Sequence, residues 1–343
     1  MSLPTYFLVL IGALFVLELV YFRIADRFNI IDKPNERSSH TRITLRGGGI
    51  IFYLGMALWF VLSGFAHPWF FAALSVLAIV SFIDDVHSLP PSIRLIAQIS
   101  GLLLLCAEWG LFIYPEGWVI VPVALFACAG ITNIYNFMDG INGITGGYSL
   151  VVLLALLAVD KWALPFADEK MMLAAIASAL VFCFFNFRTK ARCFAGDVGS
   201  VSMAVIVIFL LGQLILASGD LSWLVFLVVY GVDGTLTILH RLQLGERISQ
   251  PHRKHAFQLL ANELHWPHVC VSLLYMSLQA IVCTCCFFFP VWQVLLCASL
   301  VLGVAYIVFM KKYFHLHLQR QLVIRAGAQD VLTIAHEQAT SEQ

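Results

Sequence analysis

Apolar stretches of about 17 to 25 residues recur along almost the whole chain, and each is long enough to cross a bilayer as a helix. No other feature constrains the fold as tightly. Hydrophobic residues make up 61% of the sequence and charged residues 12%, against about a quarter charged in a soluble domain. Mean hydropathy is +0.89. These values exclude a soluble enzyme carrying one anchor. The chain reads as an all-α integral membrane protein, a multi-span helical bundle.

Eleven segments read as spans: 6–22, 48–64, 69–83, 95–113, 118–134, 144–159, 171–187, 200–217, 221–232, 269–289 and 291–310. The expected count is about 11 transmembrane helices (10–11). With the N-terminus outside, all but two of the 20 Lys and Arg residues fall on the inner side, the exceptions being Lys161 and Lys170. This follows the positive-inside rule, and an odd number of spans then leaves the C-terminus inside. Residues 1–310 are expected to form one polytopic domain. Residues 311–343 are expected to form a cytoplasmic tail, with some amphipathic character in "FHLHLQRQLVIRAGAQDVL". The opening "MSLPT" lacks the basic region of a cleaved signal peptide. Eight of the nine cysteines lie within spans, so they read as small buried hydrophobes rather than a disulfide framework.

The polar motifs all fall on the inner side, while outer connections such as "GFAHP", "IYPEG" and "SGD" are short and plain. A catalytic face at the cytoplasmic surface produces that asymmetry. In "SFIDDVHSLP", Asp84 and Asp85 directly follow an apolar run. One such Asp reads as a helix end at the water boundary; two adjacent like charges at the interface point to a bound cation or a proton-transfer role. In "NIYNFMDGINGITGG", Asn133, Asn136 and Asp139 recur at i, i+3 spacing and form a polar stripe on a helix. Asn142 follows, and the interspersed glycines let backbone approach a ligand.

"FAGDVGS" places Asp197 ahead of the eighth span. An Asp there is often only a cap. As a third acidic loop on one face, it suits a hard cation such as Mg2+, which takes one or two carboxylates plus phosphate oxygens and water. "PHRKHAF" gathers His252, Arg253, Lys254 and His255, donors suited to a diphosphate. A basic loop drawn to anionic lipid is the plainer alternative. Glu18 and Asp233 lie within spans, Glu18 to pair inside the bundle or sit near the interface, Asp233 to face the cavity.

Taken in order, "DD", "NxxNFMDGxNG", "GDxGS" and the His/Arg loop resemble the polyprenyl-phosphate N-acetylhexosamine-1-phosphate transferases of glycosyltransferase family 4. The first loop, "DKPNERSSHTR" followed by "LRGGG", is similar to that family's first cytoplasmic loop. The resemblance runs from about residue 32 to residue 258. The loop "HRLQLGERISQPHRKHAFQ" looks like the O-antigen-initiating bacterial branch and lacks the longer histidine run of the peptidoglycan branch. Position 142 is Asn where some relatives have Asp.

The resemblance implies a bacterial inner-membrane enzyme with a periplasmic N-terminus. It would transfer an N-acetylhexosamine-1-phosphate from a UDP-sugar to undecaprenyl phosphate at the cytoplasmic face, release UMP and start lipid-linked glycan synthesis. It implies Mg2+, with Mn2+ as a substitute, held by Asp197 and Asn136. It implies catalytic roles for Asp84, Asp85, Asp197 and His252, the Asp84–Asp85 pair deprotonating or positioning the lipid phosphate. Substrate contacts are implied for Asn133, Asn136, Asp139, Asn142, Phe194, Arg253, His255 and Thr44. Among these, Asp139 lies near the nucleotide, Phe194 near the uracil, and Arg253 and His255 at the diphosphate and sugar. Membrane lipid and a second copy of the chain are the further expected partners, with no nucleic acid. The competing class is a polytopic secondary transporter, whose coupling residues sit near the bilayer midplane; here the candidates sit in loops on one face. A lipid-binding scaffold leaves the carboxylates unexplained.

Overall fold

The computed structural model describes residues 2–32, 43–247 and 252–341, with side chains to residue 318. Most of "DKPNERSSHTR", including Lys33, Arg37 and Arg42, lies outside the described residues, as do the side chains of most of the tail from 311. The described chain is helical: α1 (Leu3–Arg27), α2 (Ile50–Leu62), α3 (Pro68–Val86), α4 (Pro91–Glu108), α5 (Gly117–Met138), α6 (Ile144–Trp162), α7 (Glu169–Asn186), α8 (Gly196–Ser218), α9 (Val228–Gln243), α10 (Ala256–Asn262), α11 (His268–Cys285) and α12 (Val291–Ser341). A two-residue antiparallel pairing joins β1 (Ile31–Asp32) to β2 (Thr44–Leu45).

Ten helical segments are long and apolar enough to cross a membrane. Every segment expected as a span falls on a helix, with three differences. Helix α2 has 13 residues, about 20 Å at 1.5 Å per residue, shorter than the ~30 Å hydrocarbon core. The ninth begins as a 3-10 turn, Leu221–Leu227, and α9 then runs on to Gln243, well past residue 232. Its extension carries Asp233, Thr237 and Arg241 at helical spacing, all buried. Hydropathy drops there because this inward stripe is polar, not because the helix ends. Helix α12 likewise continues past residue 310.

Burial sorts the helices. Helix α8 is apolar on every side and buried along most of its length, as expected of a helix at the centre of a bundle. Helix α3 packs against it and against α4, α2 packs on α7 and α8, and α5 packs on α8, α4 and α9. Helix α1 shows the contrasting pattern. Tyr6, Leu10, Leu14, Glu18, Tyr21 and Phe22 are buried, while Leu8, Val9, Val16, Val20 and Ile24 are exposed. Large apolar side chains turned outward in this number mark a surface meant for lipid.

Polar side chains tie the helix ends far from the acidic motifs. Trp59 Nε1 donates to Asp168 Oδ2 at 2.8 Å. At the start of α3, Glu108 Oε2 accepts from the Trp69 and Phe70 N–H groups at 2.9 and 3.2 Å, and Oε1 lies 2.7 Å from His67 Nδ1. Glu108 thereby satisfies two donors that the first turn of α3 leaves unpaired. We expect Glu108→Ala to destabilise the protein by about 1–3 kcal/mol, read as a lower midpoint of thermal unfolding in detergent, with Glu108→Gln intermediate.

Candidate active site

The site is assembled around the amino-terminus of α8. Gly196 has φ +70°, and a Cβ there would lie 2.5 Å from Asp85 Oδ2. The missing side chain lets Asp85, in the last turn of α3, reach the helix end. Its Oδ1 accepts from the Asp197 N–H and its Oδ2 from the Val198 N–H, both at 2.9 Å. Arg46 Nε sits 2.8 Å from Asp85 Oδ1, and its second nitrogen is 3.9 Å from Asp197 Oδ1.

Arg46 is delivered by the strand-like run after β2. The Phe194 N–H donates to the Leu45 carbonyl at 2.8 Å, the Gly48 N–H to Phe194 at 2.9 Å and the Gly49 N–H to Ala195 at 3.1 Å. "LRGGG" is thus zipped along the chain that leads into "GDVGS". A methyl on Gly49 would collide with the Gly199 Cα and the Ala195 carbonyl, so the two glycine motifs meet backbone to backbone. Behind this seam, buried Glu18 of α1 accepts from Cys193 Sγ at 3.6 Å.

Beside it opens a cavity of about 670 Å3. Its walls include Asp84, Asp197, Asn133, Asn136, His252 and His255, six of the residues expected at the site, and apolar Leu77, Val80, Leu95 and Val201. Asp84 Oδ1 accepts from the Leu89 N–H at 2.6 Å and Oδ2 from Arg94 at 3.2 Å. Asp84 and Asp197 line the same cavity, and two bare carboxylates held near each other favour a proton or a cation between them. Asn136 Oδ1 accepts from Ser200 Oγ at 3.1 Å, one turn after Asp197. Gln98 donates to Asn133 Oδ1 at 3.5 Å. The rings of His252 and His255 are 5.0 Å apart, and neither His252 Nδ1 nor His255 Nε2 has a partner among the described residues. Burial, reinforced by the positive neighbours His255, Arg241 and Lys254, pushes His252 down to about 3, so its imidazole is neutral near pH 7.

The other expected residues lie outside the cavity lining. Asp85 stands behind it, holding α8. Asp139 accepts from Thr145 Oγ1 at 2.6 Å, and burial pushes it up to about 7. The Asn142 amide donates to the carbonyls of Arg188 and Thr189 at 2.8 and 3.4 Å, which makes it a tie between connections. Thr44 pairs with Asp32 in the β1–β2 ladder, and Phe194 sits in the zipper. Arg253 is half-buried beside the two histidines in sequence, and Lys254 is turned to Glu246.

Sequence reasoning passed over Arg46, Arg94, Gln98 and Ser200 as parts of this site. Arg46 and Arg94 counted only toward topology. Their signal is a lone cation one step from a glycine run, and one in the first turn of a helix after Pro90–Pro91.

Asp139 gives a pH prediction. A carboxyl with a raised folded-state value contributes stability that is lost as pH rises through about 7. Asp139→Asn keeps the acceptor for Thr145 and removes that dependence. Relative to wild type, its midpoint of thermal unfolding should therefore be higher at pH 8 than at pH 5 by about 2–4 °C.

The sequence was compared with known proteins. Residues 67–215 match the family model described as glycosyl transferase family 4; the match covers α3 to α8, and with them Asp84, Asp85, Asn136 and Asp197. The chain is 26% identical over 269 residues to a probable undecaprenyl-phosphate N-acetylglucosaminyl 1-phosphate transferase of Bacillus subtilis, covering 73% of this chain and 74% of that one. It is 25% identical to the undecaprenyl-phosphate alpha-N-acetylglucosaminyl 1-phosphate transferase of Yersinia pestis and 24% identical to that of Escherichia coli K12, in each case over 69% of this chain and 71% of the relative. Motifs, geometry and relatives agree: over residues 67–215 the chain matches glycosyl transferase family 4, and along 69 to 73% of its length it is similar to undecaprenyl-phosphate N-acetylglucosaminyl 1-phosphate transferases.

Proposed function

We propose that this protein transfers an N-acetylhexosamine-1-phosphate from a UDP-sugar to undecaprenyl phosphate and releases UMP, starting O-antigen or another envelope glycan. The observation that carries the reading is the cavity. It brings a carboxylate pair, Asp84 and Asp197, together with two histidines bearing unpartnered ring nitrogens, beside an apolar wall of Leu77, Val80 and Leu95. A phosphate on a prenyl chain needs that combination of charge handling and grease. The names of the relatives support the same substrates.

In this reading a lipid phosphate oxygen attacks the β-phosphorus of the UDP-sugar. A bond forms from that oxygen to the β-phosphorus, the bridge to the α-phosphorus breaks, and the bridging oxygen leaves with UMP. Asp84 is placed to take the proton of a monoprotonated lipid phosphate. His252, neutral, offers hydrogen bonds rather than charge to the diphosphate. Asp85 positions Asp197 and does not itself meet substrate.

Among the described residues no three His, Cys, Asp or Glu side chains are grouped to hold a metal by themselves. Asp84 and Asp197, with the Asn136 amide oxygen beside them, fit a cation completed by phosphate oxygens and water, which is the habit of Mg2+. When bound, Mg2+ would supply charge neutralisation for the phosphate oxygens.

The polar cavity residues come from near helix ends: the last turns of α3 and α5, the first turns of α4 and α8, and the link from α9 to α10. This supports an enzyme at one membrane face over a transporter with a midplane site. The charge asymmetry favours the cytoplasm for that face, with eleven spans if α2 is counted, a periplasmic N-terminus and a cytoplasmic tail from residue 311 in a bacterial inner membrane.

The products contain the same kinds of bond as the reactants, so the equilibrium lies near unity. Labelled UMP, incubated with purified protein, Mg2+ and the lipid-linked product, should return label to UDP-sugar, and a chelator should stop it. Forward transfer from a panel of UDP-N-acetylhexosamines with no return of label would exclude direct exchange. No transfer from any of them would exclude the reading itself.

The two adjacent aspartates should separate. Asp84→Asn should lower turnover by about 100-fold or more with thermal stability kept. Asp85→Asn should lower turnover and also the midpoint of unfolding, because it loses Arg46 and disturbs two N–H contacts. Turnover assays and thermal unfolding on both variants check this.

A further inference from the structure

We propose that Asp233 is the positioning residue for His255, fixing it as the Nδ1–H tautomer so that Nε2 is presented to a phosphate oxygen of the substrate. The proposal rests on the transferase reading for what meets Nε2, and on geometry alone for the tautomer.

Asp233 lies on α9, almost fully buried. Its Oδ1 accepts from Thr237 Oγ1 and the Ala256 N–H, both at 3.1 Å, and lies 3.2 Å from His255 Nδ1. Its Oδ2 accepts from Tyr275 Oη at 2.5 Å and from the Phe257 N–H at 3.5 Å. So many donors hold the carboxylate ionised, and an ionised carboxylate only accepts. The Gln258 N–H of the α10 cap also approaches this side chain, but the ring nitrogen 3.2 Å from an ionised carboxylate oxygen carries the proton. That sets the role of the other nitrogen, since the two sites of an imidazole are coupled through one tautomer.

Nε2 is the nitrogen left over. It is buried and has no partner among the described residues, while His255 itself lines the cavity. The ring is confined by its neighbours, with centroids 5.0 Å from His252, 6.4 Å from Phe137 and 5.7 Å from Phe257. A buried nitrogen kept without a partner loses a hydrogen bond worth having. A ligand oxygen restores it, accepting from Nε2 when the ring is protonated or donating to it when the ring is neutral.

Capping α10 alone would explain the contacts to Ala256 and Phe257. It does not explain why Tyr275 from α11 and the ring of His255 converge on the same carboxylate. Three elements are arranged so that one imidazole has one orientation.

The test is a double-mutant cycle on the purified full-length protein, with turnover and the donor Michaelis constant measured for wild type, Asp233→Asn, His255→Gln and the double variant. Asp233→Asn should lower kcat by about 10–100-fold and change KM by less than about 3-fold. In the His255→Gln background the same substitution should cost less than about 3-fold. An equal loss in both backgrounds, or a KM change as large as the kcat change, overturns the proposal. Should Asp233→Asn fail to fold, Tyr275→Phe takes its place in the cycle, with a smaller loss that must likewise vanish without His255. Independently of turnover, the 15N imidazole resonances of His255, identified by their disappearance in His255→Gln, should show a proton on Nδ1. A proton on Nε2 alone overturns the assignment. If wild type catalyses no transfer, the transferase reading falls, and the spectrum still decides the tautomer.

Discussion

The arrangement hangs on the carboxylate of Asp85. It takes two N–H groups from the first turn of α8 and the guanidinium of Arg46, joining the end of α3, the start of the most buried helix and the arm after β2. A buried carboxylate is costly unless its lone pairs are filled, and here they are filled from two other elements, α8 and the arm after β2. Removing it would leave a half-buried guanidinium and two N–H groups without their acceptor. The position of Asp197, one residue into α8, follows from this contact rather than from any bond of its own.

From that joint the cavity follows as a consequence of helix ends. Alpha-helical spans satisfy their own backbone within the bilayer, so polar chemistry concentrates where helices stop. Asp84 ends α3, Asn133 and Asn136 lie in the last turns of α5, and His255 caps α10. Rigid helices set the distances, and short connections carry the groups. Asp233, like Glu18 of α1, departs from this as an ionisable residue inside a helix. Five donors from three elements surround it, which is the condition on which such a residue is tolerated.

Much of this was legible in the sequence, and the reasons differ by level. The helices were readable because long apolar runs have few alternatives. The facing of "DD", "NxxN" and "GD" into one place was readable because charge bias put their loops on one side. What could not be read is which member of a motif faces inward. Asp84 and Asp85 are neighbours, yet one lines the cavity and the other turns toward α8, a difference set by the clearance at Gly196. Asn142 looks like its neighbour Asn136 in composition and is instead bound to the carbonyls of Arg188 and Thr189. Within "HRKH", Lys254 is drawn to Glu246, a residue given no role in the sequence reading. Asp233 was visible as a charge in an apolar run, but apart from Thr237 its donors come from residues 22 to 42 positions downstream, and nothing local announces them.

The contact between Gly49 and Gly199 has an electrostatic side. Gly49 precedes the first residue of α2, and Gly199 lies in the first turn of α8. Two helix amino-termini therefore meet, and each carries roughly half a positive charge from its aligned peptide dipoles. Like ends pressed together repel unless anions stand beside them. Asp85 and Asp197 are such anions, fixed at the junction. The acidic motifs of this chain thus serve as counter-ions to the backbone as well as side chains for a substrate, and a neutral replacement changes how two helices sit before it changes any chemistry.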